Sequence, residues 1–134
     1  MSKCLPISVI VPTYNRASYL PETIKAILSQ GSQDMELIIV DDNSSDHSRN
    51  ILTSFKEKYP KIVLVFLEEN LGESNAVNVG WSLATQQFIS IVNSDDPPHK
   101  NWLLSMSKEI QENPGFGFYY PNRLVIDENG YILR

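Results

Sequence analysis

Apolar residues along the chain fall into short runs that alternate with segments of helical period. Ile7 to Val11 is a β-branched run of the kind buried on both faces of a sheet. From Tyr19 to Gln30, Leu20, Ile24, Ile27 and Leu28 recur at helical spacing, with Ser18 placed to cap the start and Gly31 to stop the end. Leu37 to Val40 predicts a second buried strand. Ile51, Leu52 and Phe55 share one side of a second helix that ends before Pro60. Ile62 to Leu67 predicts a third strand, Glu73 to Thr85 a third helix, and Phe88 to Val92 a fourth strand. Ala76, Gly80, Leu83 and Ala84 give the third helix a small-residue face suited to close packing on a sheet. Leu103, Met106 and Ile110 mark a fourth helix, stopped by Pro114 and Gly115.

The tail has a different pattern. Phe116 to Tyr120, Arg123 to Ile126 and Tyr131 to Leu133 are strand-like, and the Asp127-Glu128-Asn129-Gly130 stretch is a hairpin turn signal. Four strand–helix units in succession predict an α/β fold, a Rossmann-like and mostly parallel sheet flanked by helices. The C-terminal antiparallel hairpin is expected to pair at an edge, with Tyr119 and Tyr120 in the core or an interface.

Length and composition narrow the class. The 134 residues, 42% hydrophobic and 20% charged, suit one globular domain spanning 1–134. A net charge of -5 argues against a nucleic-acid polymer as partner, because phosphate neutralisation supplies most nonspecific affinity. Cys4 is the one cysteine, so neither an internal disulfide nor a thiolate zinc cage can form. The first apolar run is strand-length and broken by Pro12, too short for a signal-peptide core. Nothing approaches a bilayer-spanning length. The expectation is a cytoplasmic protein.

In an open parallel sheet, ligands bind beyond the carboxyl ends of the strands. The four loops at that edge are Pro12 to Arg16, Asp41 to Asp46, Glu68 to Asn75, and Asn93 to Pro98, all dense in polar groups. That density points to a ligand site. Each loop also has a plainer reading. Asp42, Ser44, Ser45 and Asp46 are ordinary helix-capping residues, and Asp95-Asp96-Pro97-Pro98 is an ordinary turn. Adjacent carboxylates repel, however, and magnesium or manganese relieves that cost while taking its remaining oxygens from phosphate and water. Tyr14 offers a flat face to a base or fills space; Arg16 pairs with a phosphate or sits on the surface. His47 and His99 are isolated, and Trp81 and Trp102 are expected to pack. No P-loop, dinucleotide fingerprint or nucleophile elbow is present.

Taken together, ISVIVPTYNR from Ile7 to Arg16, VDDNSSD from Val40 to Asp46, and the Asp95-Asp96 loop resemble the family 2 glycosyltransferases of GT-A fold. Asn70-Leu71-Gly72, Ala76 to Gly80, and Trp102-Leu103 fit the same pattern in order and spacing. The resemblance implies transfer of a sugar, with inversion, from a nucleotide-diphosphate donor, commonly UDP-linked, to an acceptor hydroxyl. It implies that Pro12, Thr13 and Tyr14 line the nucleotide pocket with Tyr14 against the base. Asp42 would accept a hydrogen bond from that base. Asp95 and Asp96 match the acidic motif that approaches the ribose and holds Mn2+ or Mg2+ on the diphosphate, and Arg16 is counted among the nucleotide-binding residues.

At two places the chain departs from the pattern. Asn93 stands where the acidic motif often has aspartate, and Val77 where the third loop often has arginine. Family catalytic domains are about twice this length, so acceptor contacts and the general base are expected outside these residues. The chain then reads as the donor- and metal-binding half of a larger enzyme. Its acceptor, saccharide, lipid-linked or protein, stays open, and work at the inner face of a membrane fits. A noncatalytic nucleotide-sugar-binding or interaction module is the competing reading. A sugar-nucleotide pyrophosphorylase lacks the glycine-rich loop it would need. A sheet edge left open would favour a homodimer.

Overall fold

A computed structural model describes residues 4–133. Four strands, β1 (Ile7–Thr13), β2 (Met35–Asp41), β3 (Val63–Phe66) and β4 (Phe88–Ile91), form one sheet in the order β3-β2-β1-β4. Every pairing is parallel, with Ile7 opposite Met35, Ile38 opposite Val63, and Ile7 opposite Phe88. Between and after them lie α1 (Leu20–Leu28), α2 (Ser48–Lys58), α3 (Glu73–Leu83) and α4 (Trp102–Glu112). The expected parallel sheet flanked by helices is what forms.

Period-two alternation within the buried strands divides the core. Val9, Val11, Leu37 and Ile39 face one side, where Leu20, Ile24 and Ile27 of α1, Leu52 of α2 and Leu103 of α4 pack on them. Ile38 and Val40 face the other side, with Ala76, Val63, Val65 and Val79. The chain moves from β1 outward to β3, then jumps back across the sheet to β4. A right-handed crossover in that reversed direction puts α3 alone on the second face. The small-residue face of α3 is required there: a Cβ on Gly80 would stand 2.5 Å from Ile10 Cγ2. Ala76 is fully buried beside it, whereas Leu83 turns out to be exposed.

Several local expectations change. Tyr19, rather than Ser18, is the residue before α1, and no side chain caps that helix. The Arg16 carbonyl accepts both the Tyr19 and Leu20 N–H groups instead, so a tight turn leads into α1. Trp102 packs against the core as expected, but Trp81 lies on the outer face of α3, largely in solvent.

The tail departs most. Phe116 to Tyr120 forms no strand, and the hairpin is reduced to one antiparallel bridge, Ile126 to Ile132, which does not join the sheet. The turn itself forms, with Gly130 N–H donating to the Asp127 carbonyl at 3.0 Å. Tyr119 donates its hydroxyl to the Asn113 carbonyl at 2.6 Å, and Tyr120 is solvent-exposed rather than core. Aromatic and β-branched residues at alternate positions carry strand propensity, but without a neighbouring strand to bond they do not make a ladder.

Candidate functional site

The direction of the chain reverses between β1 and β4, and the strand-end loops converge there on a cleft of about 400 Å³. Its walls are Pro12 and Thr13 at the end of β1, Tyr14 and Arg16 just after it, and Asp42 after β2. Asn70, Gly72 and Glu73 follow from β3, and Asn93, Ser94 and Asp95 from β4. Six of the seven residues singled out from sequence thus share one cavity. Asp96 lies just outside its lining, exposed, with Oδ2 accepting from Asn93 Nδ2 at 3.2 Å.

The first two loops are fastened together through Asn15, whose backbone adopts a left-handed φ of 51°. Its side-chain oxygen accepts from the N–H groups of Ser45 at 2.8 Å and Asp46 at 3.2 Å, and its own N–H donates to Ser44 Oγ at 2.9 Å. Arg16 N–H donates to Ser48 Oγ and Ala17 N–H to Asp46 Oδ2. These contacts hold Tyr14 and Arg16 on either side of a fixed turn. Asn15 was not singled out from sequence. A polar residue next to Tyr14 in a turn is the only hint the chain carries.

Asp42 is buried and fastens the third loop. Its Oδ1 accepts the Leu71 N–H at 2.9 Å and its Oδ2 the Gly72 N–H at 2.7 Å. The capping role expected of the second loop is therefore redirected: Asp42 serves the entry to α3, not α2. Gly72, with φ of 91°, supplies a turn that an L side chain rarely adopts. Each Asp42 oxygen keeps a lone pair that these bonds do not use.

Below Asp42, Asp41 is fully buried and paired with Arg49, Nε to Oδ2 at 2.8 Å. Arg49 also donates to the Leu67 carbonyl at 2.6 Å and lies over the Phe66 ring. One guanidinium thus ties the ends of β2 and β3 to α2. Thr13 differs from all of these. It is 3% exposed, lines the cleft, and its hydroxyl has no hydrogen-bond partner among the described residues. A buried hydroxyl left unbonded costs about 1–3 kcal/mol, so its position in a ligand cleft is informative.

Charge at the cleft mouth is arranged in one contact. Arg16 Nε donates to Asp95 Oδ2 at 3.1 Å. No group of three or more His, Cys, Asp or Glu side chains converges on a cation position among the described residues. The carboxylates of Asp95 and Asp96 are hard oxygen donors of the kind that bind a divalent cation together with phosphate and water oxygens.

Hydrogen bonds hold two carboxylates below their ordinary values. Burial pushes Asp46 up, but hydrogen bonds from the Ser48 hydroxyl and from the Ser48 and Ala17 N–H groups outweigh it and hold it below its ordinary 3.8. At the opposite sheet edge burial likewise pushes Glu36 up. The Ser8 hydroxyl and the N–H and hydroxyl of Thr85 outweigh that and hold it below 4.5. Depressed folded-state values mean that the ionised forms stabilise the fold. That stabilisation is complete above the unfolded values and is lost as pH falls through the folded ones. The melting temperature is expected to stay level down to about pH 5 and then fall, with a shallower acid limb in Glu36→Gln. A thermal melt series across pH reads it.

Comparison with known proteins agrees with this geometry. The description Glycosyl transferase family 2 matches residues 8–133. Glycosyltransferase GlyG of Streptococcus pneumoniae is 37% identical over 117 residues, covering 85% of this chain and 39% of GlyG. Among solved structures, S. aureus TarS 1–349 in complex with UDP superposes with a TM-score of 0.74 at 32% identity. That match covers 81% of this chain and 32% of TarS 1–349. Mannosyltransferase PcManGT from Pyrobaculum calidifontis, in complex with GDP-Man and Mn2+, gives 0.64 at 28%, covering 72% and 29%. The chain spans well under half the length of these relatives. With residues 8–133 matched by the family as a whole, the chain belongs to glycosyl transferase family 2.

Proposed function

We propose that these residues form the donor-binding half of an inverting glycosyltransferase that takes its sugar from a nucleotide diphosphate, UDP-linked, and passes it to an acceptor hydroxyl. The observation that carries the reading is the buried, unpartnered Thr13 hydroxyl in the same cleft as Asp42 and Tyr14. A nucleoside base supplies both a hydrogen-bond partner for such a group and a flat face for Tyr14. The UDP and UDP-GlcNAc complexes of TarS support uracil as that base.

In this reading Asp42 receives the base N–H with the acceptor capacity it does not spend on the third loop. Asp95 stands toward the ribose, and Asp95 and Asp96 hold a divalent cation together with the diphosphate. Mn2+ or Mg2+ bound there offsets the charge that develops on the departing nucleotide diphosphate. Arg16 contributes a positive charge to the same end of the cleft. The acceptor, whether saccharide, lipid-linked or protein, and the general base belong to residues beyond these. A cytoplasmic enzyme at the inner face of a membrane fits the reading, and no helix among the described residues is long and apolar enough to cross one.

Calorimetric titration with UDP, with and without Mn2+, tests the proposal. Metal-dependent binding is expected in the wild type and absent in Asp95→Ala/Asp96→Ala. Thr13→Val should weaken UDP by about tenfold, the worth of one hydrogen bond, without lowering the melting temperature. Absence of UDP binding in the wild type would overturn the reading and favour a noncatalytic interaction module.

A further inference from the structure

The Arg16–Asp95 contact puts a cationic side chain on the carboxylate that the proposed function gives to ribose and metal. We infer that Arg16 is an exchangeable counter-charge: it neutralises Asp95 in the empty cleft and leaves it for the diphosphate when a cation and nucleotide arrive. The inference rests on the nucleotide-diphosphate reading, and it assigns to Arg16 a positioning role distinct from simple phosphate attraction.

Three observations support it. The two side chains are 46% and 40% exposed, so the pair is held in solvent rather than locked by packing. The Arg16 backbone, by contrast, is fastened: its N–H donates to Ser48 Oγ at 3.2 Å, its carbonyl accepts the Tyr19 and Leu20 N–H groups, and Asn15 before it is bonded to the second loop. The side chain has one other bond, Nη1 to the Asn15 carbonyl at 3.4 Å, which lies within its own loop, so a change of partner at Asp95 leaves the backbone anchor at the cleft. Arg16 and Asp95 also both line the cleft, so the guanidinium reaches a diphosphate there without moving the loop. The acidic loop needs a counter-charge when empty, because Asp95 and Asp96 are adjacent, and Asn93 already donates to Asp96 Oδ2. Arginine is suited to both partners, presenting the same planar fork to a carboxylate and to a phosphate.

Exchange has a measurable consequence for the cation alone. An exposed ion pair is weak, so displacing Arg16 from Asp95 should reduce cation affinity only about two- to fivefold. In NMR titrations of the protein with Mg2+ and no nucleotide, followed at the Asp95 and Asp96 amides, Arg16→Gln is expected to bind two- to fivefold more tightly than wild type. In an Asp95→Asn background, followed at the Asp96 amide, the same substitution is expected to change nothing. An equal gain in both backgrounds would mean a general field effect and would overturn the exchange, as would no gain in either. The Arg16 Nε–H resonance supplies a second readout. It is expected to differ between wild type and Asp95→Asn in the free protein, and to move in wild type on saturation with Mg2+ and UDP. A resonance identical in the two free proteins would overturn the pairing. Should Mg2+ and UDP leave the Thr13 and Asp42 amides unmoved, it is the nucleotide reading that fails. The Mg2+-only comparison still decides the Arg16 pairing.

Discussion

Arg49→Met is expected to lower unfolding stability by about 3 kcal/mol, because it leaves the buried Asp41 carboxylate without its cation. Asp41 is 0% exposed at the end of β2, and its Oδ2 depends on Arg49 Nε and the Ser44 N–H, while Oδ1 has no partner among the described residues. Removing one member of a buried pair costs about 3–5 kcal/mol. The low end applies because Arg49 is 36% exposed, so water can enter in its place. Methionine keeps an apolar stem of similar length, but the guanidinium that lies over the Phe66 ring goes with the charge and the hydrogen bonds. Adding Asp41→Asn should recover part of it by removing the buried charge. Urea unfolding of the three variants reads the result. A loss under about 1 kcal/mol would reduce the pair to the worth of a surface contact.

Asp42→Ala is expected to weaken UDP binding by about a hundredfold and to cost about 2 kcal/mol of stability. Two effects combine. The base loses an acceptor, and hydrogen bonds to a charged group contribute about 1.5–3 kcal/mol each. The third loop also loses the carboxylate that holds the Leu71 and Gly72 N–H groups, so Asn70 and Glu73 no longer line a formed cleft. The stability cost is the smaller effect, since Leu71 is exposed and its freed N–H can meet water. Asp42→Asn separates the two. Its amide puts an NH2 donor where one carboxylate oxygen stood, so one of the two N–H groups loses its acceptor and the charge is gone; it should lose about tenfold in affinity with a smaller change in unfolding than alanine. Calorimetry with UDP and Mn2+, paired with urea unfolding, gives both numbers. An alanine variant that unfolds more easily yet binds UDP as wild type does would make Asp42 a loop fastener only.

Most of the sheet was legible because buried parallel strands leave a simple record. Val9 to Val11 and Leu37 to Val40 read as strands for the reason that they became strands: both faces are covered, so apolar residues run on without polar alternation. Helix α3 was legible for a different reason, its Ala76 and Gly80 spacing, which only a close approach such as that of Gly80 to Ile10 demands. The tail misled for the converse reason. Phe116, Phe118 and Tyr120 alternate like a strand, but a strand exists only where another lies beside it, and no periodicity within the segment supplies that neighbour.

The site divides in the same way. The sequence by itself determined which residues stand on the four strand-end loops, since strand–helix alternation puts every such loop at one edge of the sheet. It also supplied the chemistry, acidic and amide side chains with one tyrosine and one arginine. Only the tertiary structure decided who bonds to whom. Asp42 serves a loop 29 and 30 residues away, and Arg16 meets Asp95 across 79. Arg49 turns inward to Asp41 while Thr13 is left without a partner. Those pairings follow from the strand order β3-β2-β1-β4, which sets the loops after β1 and β4 side by side and the one after β3 two strands away. Local sequence carries the propensity to form each strand, but the order of strands is a property of how the whole core closes.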